Sequence, residues 1–585
     1  MVKKPVETVI PRWRYYLVML ALASLPIVLV ASIAQLQIMP EAERGADFLQ
    51  TQGDARSIRS EPIPAYRGLI TDRNGEPLAV STPVTELFVN PQHFKKSATP
   101  ADLLALAEAL DLSAAELKDR LQLYRNKSFM SLAHHLPSAV ASKILALRIP
   151  GVEGRLEYKR FYPAGEVTAQ LVGFTDENDH GQEGMELAYD AFLAGVSGSR
   201  KVVKDRAGRV IKDIALVKAA HSGNTLRLSI DLRMQYGAYR ALKAAVQKHQ
   251  AKSGSVVVLD VETGEVLAMA NQPSMNPNDR YNLQLGSVRN RAMTDRIEPG
   301  STVKPFTILA ALESGQFDVN SKIDTSPGYI KVANKIFEDS SDYGLLDLGG
   351  VLRKSSQVGT TKIALALNPD STRALFERMG FGESLGSGFP SETSGNLPVR
   401  RNWDPVTQAT FAFGYGLSVS PLQLARAYAI LASNGGRKDV SLLALAVPPE
   451  RTSVADPQLV KQVRQMLHDA SSDQGTGKYA MIEGYSVGGK TGTARKIKST
   501  GGYDENRHMS VFAGLSPIDK PRLVTVVVID EPSESVYSGG LVAAPIFSEV
   551  TGNALRLLQV TPDQIDANRT IASLLAASKM RGDSL

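Results

Sequence analysis

The residues best suited to chemistry form the run EPGSTVKP, from Glu298 to Pro305. An apolar helical pattern follows it, so Ser301 is expected at a helix N-terminus, where Pro305 is tolerated in the first turn. Residues i and i+3 share one face of a helix, so the Lys304 amine is within reach of the Ser301 hydroxyl. A serine is a weak nucleophile until a base takes its proton, and a buried lysine can serve as that base. The run therefore predicts serine acyl-transfer chemistry.

A second motif, VGGKTGTA (Val487 to Ala494), places small residues around one lysine. Glycine at this density lets another chain approach the backbone closely. The backbone N–H of Thr493 could pair with that of Ser301 as an oxyanion hole. The lysine and threonine side chains could hold a substrate carboxylate. The candidate binding residues are Lys490, Thr491, Gly492 and Thr493.

A third motif is expected between these two, and Lys354-Ser355-Ser356-Gln357 fits the place. Ser355 and Gln357 occupy the first and third positions of a triplet of the S-x-N kind. Each short motif alone is weak, because an isolated S-x-x-K is more simply an N-capping serine and a solvated lysine. The prediction becomes specific only through the order and spacing of all three motifs.

The elements around these motifs predict an α+β domain. Two apolar runs, 255–259 and 266–270, are joined by a turn and are expected to form an antiparallel hairpin. Two more strand-like runs follow late in the chain, at 510–515 and 523–529, and helical patterns such as 420–431 lie between. Strands at both sequence ends suggest one sheet closed by its termini, with helices packed on it.

A separate region precedes this domain. Its segment RGLITDRNGEPLA (67–79) contains an Asn-Gly turn signal for a hairpin. Residues 100–150 are rich in Ala and Leu at helical spacing. His134 and His135 would then lie on a helix, as a partly exposed polar pair rather than a metal site.

The N-terminal part of the chain has the pattern of a membrane anchor. No charged residue lies between Tyr15 and Pro40. This uncharged segment is longer than the roughly 20 residues that a membrane-spanning helix needs. Basic residues precede this segment and predict a cytoplasmic N-terminus with the remaining chain outside. These residues are Lys3, Lys4, Arg12 and Arg14. The alternative is a signal peptide cleaved near Ala31–Ala34, but the apolar stretch is long for one.

Composition narrows the function classes. The chain has 585 residues, 43% of them hydrophobic and 22% charged, which indicates a multidomain globular protein. It has no cysteine, which excludes disulfides and thiolate metal sites. The net charge is +6, but no basic tract with interleaved aromatics indicates nucleic-acid binding. No metal and no cofactor are expected.

Longer segments around the motifs resemble the class B penicillin-binding proteins of bacterial cell division. The segments NRAMTDRIEPGSTVKP, FGYGLSVSPLQLARAYA, VGGKTGTARK, HMSVFAGLSP and GGLVAAPIF are similar to the transpeptidase domain of that family. RGLITDRNGEPLA and RFYPAGEVTAQLVGF resemble its pedestal motifs. The resemblance covers roughly residues 60–555.

The resemblance implies a peptidoglycan D,D-transpeptidase that β-lactams inhibit. Ser301 would attack the D-Ala-D-Ala bond of a stem peptide and form an acyl-enzyme, with Lys304 as base and Ser355 relaying a proton to the leaving D-Ala. The motif at Lys490 would hold the substrate carboxylate and complete the oxyanion hole. An amine from a neighbouring stem peptide would then take the acyl group.

The chain departs from the family at Gln357, where the family has Asn. Both side chains end in an amide, but Gln is one methylene longer, so its amide must lie elsewhere or fold back. This difference suggests altered β-lactam affinity or a specialised paralogue.

The expected organisation runs from a cytoplasmic tail (1–14) and a transmembrane helix (15–39) through a linker (40–60) to a pedestal domain of the dimerisation type (61–222). A transpeptidase domain (223–558) and a flexible tail (559–585) complete it. The expected location is the bacterial inner membrane at the division septum, with the catalytic domain in the periplasm. A polytopic glycan polymerase and other division proteins are the expected partners.

Three alternatives remain open from sequence. The enzyme could act in elongation. Water could replace the amine acceptor, which gives a D,D-carboxypeptidase or a β-lactamase. The chain could instead be a non-catalytic division scaffold or a β-lactam sensor, which Gln357 alone favours.

Overall fold

A computed structural model describes residues 11–38, 46–204, 210–281, 284–498, 500–533 and 535–564. The described residues form two compact units. The first unit draws on Met1–Tyr66, Pro83–Tyr158 and Gly195–Ser222, and the second on Arg67–Thr82, Lys159–Ala194 and Gly223–Leu585. The domain boundaries expected from the sequence stay predictions. The ends of the expected N-terminal and C-terminal tails, 1–10 and 565–585, lie outside the described residues.

The α-helices of the described residues are, in chain order, α1 (Arg12–Ile38), α2 (Ala46–Ser57), α3 (Pro91–Ser97), α4 (Pro100–Ala109), α5 (Ala114–Leu123), α6 (Ser138–Ala146), α7 (Ala169–Val172), α8 (Gly184–Ala188), α9 (Asp190–Leu193), α10 (Leu232–Lys248), α11 (Leu285–Val288), α12 (Arg291–Thr294), α13 (Lys304–Glu313), α14 (Leu348–Lys354), α15 (Gln357–Ala366), α16 (Pro369–Arg378), α17 (Pro405–Ala412), α18 (Pro421–Ala432), α19 (Pro457–Ala470) and α20 (Gly539–Leu557). Short 3₁₀ helices span Gly165–Val167, Gly300–Val303 and Lys478–Ala480.

The strands of the described residues are, in chain order, β1 (Ile58–Ile63), β2 (Ile70–Thr71), β3 (Pro77–Val89), β4 (Met130–Leu136), β5 (Val152–Phe161), β6 (Gly198–Lys204), β7 (Val210–Lys218), β8 (Leu226–Arg227), β9 (Ser253–Asp260), β10 (Val266–Gln272), β11 (Ile323–Asp324), β12 (Tyr329–Val332), β13 (Lys335–Glu338), β14 (Leu345–Leu346), β15 (Gly436–Arg437), β16 (Thr452–Ser453), β17 (Gly488–Ile497), β18 (Tyr503–Ser516) and β19 (Leu523–Asp530).

The first unit begins with the apolar helix α1. Residues 12–34 of this helix are long and apolar enough to cross a membrane, and none of them is buried against the protein. The helix therefore fits a single-pass membrane protein. Part of the segment expected as a linker forms α2 and the start of β1, which pairs with β6 in the sheet β1-β6-β7.

The helical pattern expected for residues 100–150 was wrong for one segment. Helices α4, α5 and α6 form there, but Met130–Leu136 is the strand β4, paired with β3. Met130 and Leu132 are buried while the residue between them is less so, which is the two-residue period of a strand. His134 and His135 therefore lie on a strand and not on a helix.

The second unit contains the predicted antiparallel sheet, in the order β10-β9-β19-β18-β17. Strands β9 and β10 form the predicted hairpin, and β18 and β19 from the end of the chain pair beside it. Val256 and Val258 face a cluster with helices α10 and α20, whereas Val257 and Leu259 face the larger cluster with α13 and α18. Both faces of the sheet are covered, which explains the uninterrupted apolar runs. The predicted α+β class is confirmed.

A buried ion cluster joins two of the quoted pedestal motifs within the second unit. The side chain of Glu186 is fully buried and accepts hydrogen bonds from Arg67 at 2.6 Å and Arg160 at 2.7 Å. Both arginine side chains are 2% exposed. The sequence marks Arg67 and Arg160 in separate motifs, and Glu186 is the buried charge that both of them need.

We expect Glu186→Gln to lower the free energy of unfolding by about 3 kcal/mol or more, because it leaves the buried Arg160 facing a neutral amide and Arg67 with Asp190 as its remaining carboxylate partner. Urea unfolding of the full-length protein measures this loss. Glu177→Gln, at an exposed glutamate of the same segment, is the matched control and should change stability by less than about 0.5 kcal/mol. Equal effects of the two variants would contradict the role given to the cluster.

Candidate active site

The segment around Ser301 is a 3₁₀ turn followed directly by α13. Gly300 has a φ of +54°, which glycine adopts without strain, and Ser301 lies in the turn while Lys304 begins the α-helix. In a 3₁₀ turn residues i and i+3 are aligned, so both side chains leave the same side. Tyr428, on α18, stabilises this turn, because its buried hydroxyl donates to the Thr302 carbonyl at 2.8 Å.

Lys304 is fully buried, and its amine is held by the third motif. It donates to the carbonyl of Ser355 at 2.6 Å and of Ser356 at 3.1 Å, and lies 3.4 Å from the Ser355 hydroxyl. Burial lowers the pKa of this amine to about 7, although the negative charge of Asp339 opposes the shift. An amine with this pKa is partly neutral at physiological pH and can accept a proton.

Ser355 occupies the sharp bend between two helices. It has a left-handed backbone, with φ of +55°, and ends α14, while Ser356 caps α15 through a hydrogen bond from Gly359 N–H at 2.8 Å. Serine seldom adopts this conformation, and surrounding contacts must hold it there. The bend is what turns both Ser355 acceptor groups toward the Lys304 amine.

Gln357 is the first residue of α15, and its side chain lines a cavity of about 610 Å³. The cavity also touches Thr493 on β17 and the side chains of Tyr415 and Arg495. Among the described residues, no hydrogen bond is formed by the Gln357 amide. The amide is therefore available to a ligand in the cavity.

Strand β17 carries the second motif along the outer edge of the sheet. It pairs with β18 alone within the described part of the chain, so one edge is open. Lys490 is fully buried and donates to the carbonyl and hydroxyl oxygens of Thr491, whose hydroxyl also bonds Thr476 at 3.0 Å. The Thr493 hydroxyl accepts from the Gly539 N–H at 3.2 Å.

Gly492 brings β17 against the turn that holds Ser301. A Cβ atom at this position would lie 2.9 Å from Thr302 Cγ2 and 3.0 Å from the carbonyl oxygen of Pro299. The first distance is shorter than real Cβ contacts and the second is tighter than most of them, so glycine favours this close approach. The three predicted motifs are thereby brought to one site.

Two buried lysines share that site. Burial lowers the pKa of Lys490 well below its usual range, and the charge of Lys304 lowers it further. A bound carboxylate would relieve both effects, because it supplies the missing opposite charge.

The Ser301 hydroxyl has no hydrogen-bond partner in the described part of the chain. The Lys304 amine is hydrogen-bonded to the third motif instead, so the expected contact between this amine and the Ser301 hydroxyl is not observed.

Sequence reasoning missed residues that complete the site. Asp339 accepts hydrogen bonds from the backbone N–H groups of Gln357 at 2.5 Å and Val358 at 3.2 Å. Tyr428 supports the nucleophile turn, and Thr476 orients Thr491. The quoted segment FGYGLSVSPLQLARAYA contains Tyr428, but no local signal singled it out.

Comparisons with known proteins agree with this geometry. Residues 254–552 match the model of the penicillin binding protein transpeptidase domain, and residues 62–228 match that of the penicillin-binding protein dimerisation domain. The chain is 42% identical to the probable peptidoglycan D,D-transpeptidase PbpC of Pseudomonas aeruginosa, over 90% of this chain and 93% of that one. It is 40% identical to peptidoglycan D,D-transpeptidase FtsI of Escherichia coli, over 94% and 93% respectively.

A solved structure extends the similarity to the fold. The crystal structure of penicillin binding protein 3 from Mycobacterium tuberculosis in complex with aztreonam has a TM-score of 0.67 at 26% identity, and covers 86% of this chain and 98% of that one. The chain therefore belongs to the class B penicillin-binding proteins and is a serine-type peptidoglycan D,D-transpeptidase whose substrates are stem peptides and which binds β-lactams.

Proposed function

We propose that Ser301 is the acylated nucleophile and Lys304 its general base. The observation that carries this proposal is the buried Lys304 amine, with a pKa near 7, one turn from a serine hydroxyl that has no other partner among the described residues. Ser355 is the proton relay to the leaving group, because its hydroxyl lies 3.4 Å from the same amine. This arrangement supports removal of the proton from the Ser301 hydroxyl by Lys304 and its delivery through Ser355 to the leaving D-Ala nitrogen.

The donor peptide is proposed to lie along the open edge of β17. Lys490, Thr491 and Thr493 hold its terminal carboxylate, and Gly492 keeps the strand close to the nucleophile turn. An extended peptide beside an unpaired strand gains main-chain hydrogen bonds, which suits a substrate of this kind. The backbone N–H groups of Ser301 and Thr493 form the oxyanion hole.

We propose further that the enzyme acts at the division septum, anchored by α1 with its N-terminus in the cytoplasm. The 40% identity to E. coli FtsI, over 94% of this chain, supports the septal role. Arg12 and Arg14 at the start of α1 support the orientation. Septal partners are then a polytopic glycan polymerase and other division proteins. Elongation remains the competing role, since the relatives carry several names.

One fusion tests both place and topology. A green fluorescent protein that becomes fluorescent only in the cytoplasm is joined to the N-terminus of the full chain. Fluorescence at midcell during division supports both proposals. Fluorescence along the side wall contradicts the septal role, and a dark but full-length fusion contradicts the orientation.

Gln357 is proposed to slow acylation relative to the family pattern. Its amide lines the cavity one methylene beyond the place that asparagine would give it, and a misplacement near 1 Å can cost about a hundredfold in rate. We expect Gln357→Asn to raise the rate constant of acylation by a fluorescent penicillin by about tenfold or more. Gln357→Ala is the paired control and should fall below wild type, because it removes the amide. Identical rates for wild type and Gln357→Asn would remove the hypothesis.

A further inference from the structure

Three side chains that can bind a metal lie on three neighbouring strands of the first unit. Strand β3 pairs with β4 on one side and with β5 on the other. Glu86 on β3, His134 on β4 and Glu157 on β5 each offer one ligand atom, and these atoms lie within 4.8 Å of one another. Because the three residues are far apart in sequence, the pairing of the strands is what brings them together.

His134 meets the two carboxylates because it lies on a strand of this sheet and not on the helix that the sequence predicted. Its Nε2 atom is 3.7 Å from Glu86 Oε1, and its Nδ1 atom is 3.3 Å from Glu157 Oε1. The Ser131 hydroxyl, on the same strand, lies 3.0 Å from Nε2. The imidazole is therefore placed between two carboxylates that come from different strands.

Glu86 is a buried carboxylate that has only one of its oxygens paired within the described part of the chain. Its side chain is 1% exposed, and Arg155 on β5 donates to Oε2 at 2.5 Å. The 3.7 Å from Oε1 to the imidazole is too long for a hydrogen bond. A carboxylate this deeply buried is stabilised by opposite charge, and one guanidinium balances only one of the two carboxylates in the cluster.

We propose that Glu86, His134 and Glu157 bind a zinc ion, which links strands β4, β3 and β5 across the sheet. Zinc takes imidazole nitrogen and carboxylate oxygen at about 2.0–2.2 Å, and three protein ligands with one water molecule complete a four-coordinate site. The His134 side chain is 54% exposed, so it has room to close on the two carboxylates. Calcium prefers about six to eight oxygen ligands, and a site with one imidazole and two carboxylates favours zinc instead.

Arg155 orients the proposed site without binding the metal. Its guanidinium holds the second oxygen of Glu86 and lies over the ring of Phe129, 5.8 Å from the ring centroid. Carboxylates that bind metals are commonly held by hydrogen bonds of this kind, which fix the direction of the other oxygen. Two carboxylates and one guanidinium leave one excess negative charge beside a neutral imidazole, and this charge attracts a divalent cation.

The test is zinc binding by the full-length protein without a polyhistidine tag, measured by equilibrium dialysis and metal analysis. Wild type should take up one zinc ion per chain. His134→Gln should weaken this binding by about tenfold or more, since even the loss of a residue that only orients a metal ligand costs that much. Zinc should raise the thermal unfolding midpoint of wild type and leave that of His134→Gln unchanged, because a ligand of the folded state stabilises it. Glu157→Gln should behave in the same way, and it decides the question if His134→Gln does not fold.

His180→Gln is the matched control, because the exposed His180 imidazole faces a single carboxylate, that of Asp176, at 3.4 Å. This variant should bind zinc as wild type does. Equal losses in His180→Gln and His134→Gln would indicate adventitious binding by surface histidines and would overturn the proposal. No zinc uptake by wild type would also overturn it, since His134 would then serve only to pair with the two carboxylates. Tighter binding of calcium or magnesium than of zinc would contradict the assigned ligand set.

Discussion

Replacing Ser301 with alanine is expected to lower the rate of acylation by penicillin by at least about 10⁴-fold, the largest effect of any single change in this chain. The variant removes the atom that forms the acyl bond, and Ser355, whose hydroxyl lies 3.4 Å from the Lys304 amine, is proposed to relay a proton and not to attack. The measurement is covalent labelling of the full-length protein by a fluorescent penicillin. Mass mapping of the labelled wild type should place the adduct on the peptide that contains Ser301.

Ser314→Ala is the control for this experiment. Ser314 ends the same helix, α13, and its hydroxyl donates to the Ala311 carbonyl at 2.6 Å. Its loss should leave the labelling rate within about twofold, because the contact is local and remote from the turn that holds Ser301. Residual labelling of Ser301→Ala at the wild-type rate would show that another residue is the nucleophile.

The sequence alone was sufficient for those parts of the fold that depend on local patterns. The Asn74-Gly75 turn between β2 and β3 and the apolar runs of β9 and β10 can be predicted because turn chemistry and a continuous apolar run each depend on only a few neighbouring residues. Strand β4 was missed because its segment, MSLAHHL, lies among Ala- and Leu-rich helices and its two-residue period is short. Pairing with β3 decided its conformation, and that pairing is not local.

The contacts of the active site also divide into local ones, which the sequence predicts, and long-range ones, which it does not. The alignment of Ser301 and Lys304 follows from a spacing of three residues. Asp339 reaches Gln357 across 18 residues, and Tyr428 reaches Thr302 across 126, by routes that only the packed structure defines. The hydrogen bond from the Ser356 hydroxyl to Asp339 could not be predicted either, because a serine before a helix is expected to act only as an N-cap.

Lys304→Met is expected to lower the acylation rate by about 10²- to 10⁴-fold, the range that a general base contributes. Methionine is close to lysine in length and apolar, so it suits a side chain that is fully buried, and its loss of activity would come from the missing amine. The rise of the rate through pH 7, which wild type should show, should be absent in this variant. A rate within about tenfold of wild type would show that another group is the base.

The pH dependence of stability tests the lowered pKa of the Lys304 amine independently. The unfolded chain holds the Lys304 proton up to about pH 10.4, whereas the folded protein releases it near pH 7. Unfolding therefore takes up a proton between these values, and wild type should become more stable as the pH rises through this window.

The contribution of this one group from pH 7 to pH 9 is about 2 kcal/mol in the free energy of unfolding, and Lys304→Met should lose it. Lys362→Met, which removes a surface amine from α15, should keep it, because that amine donates to the Asp324 carbonyl at the protein surface. Urea unfolding at the two pH values compares the three proteins. Equal pH dependence in wild type and Lys304→Met would mean that the amine keeps its proton in the folded state, and a protonated lysine cannot be the base for Ser301.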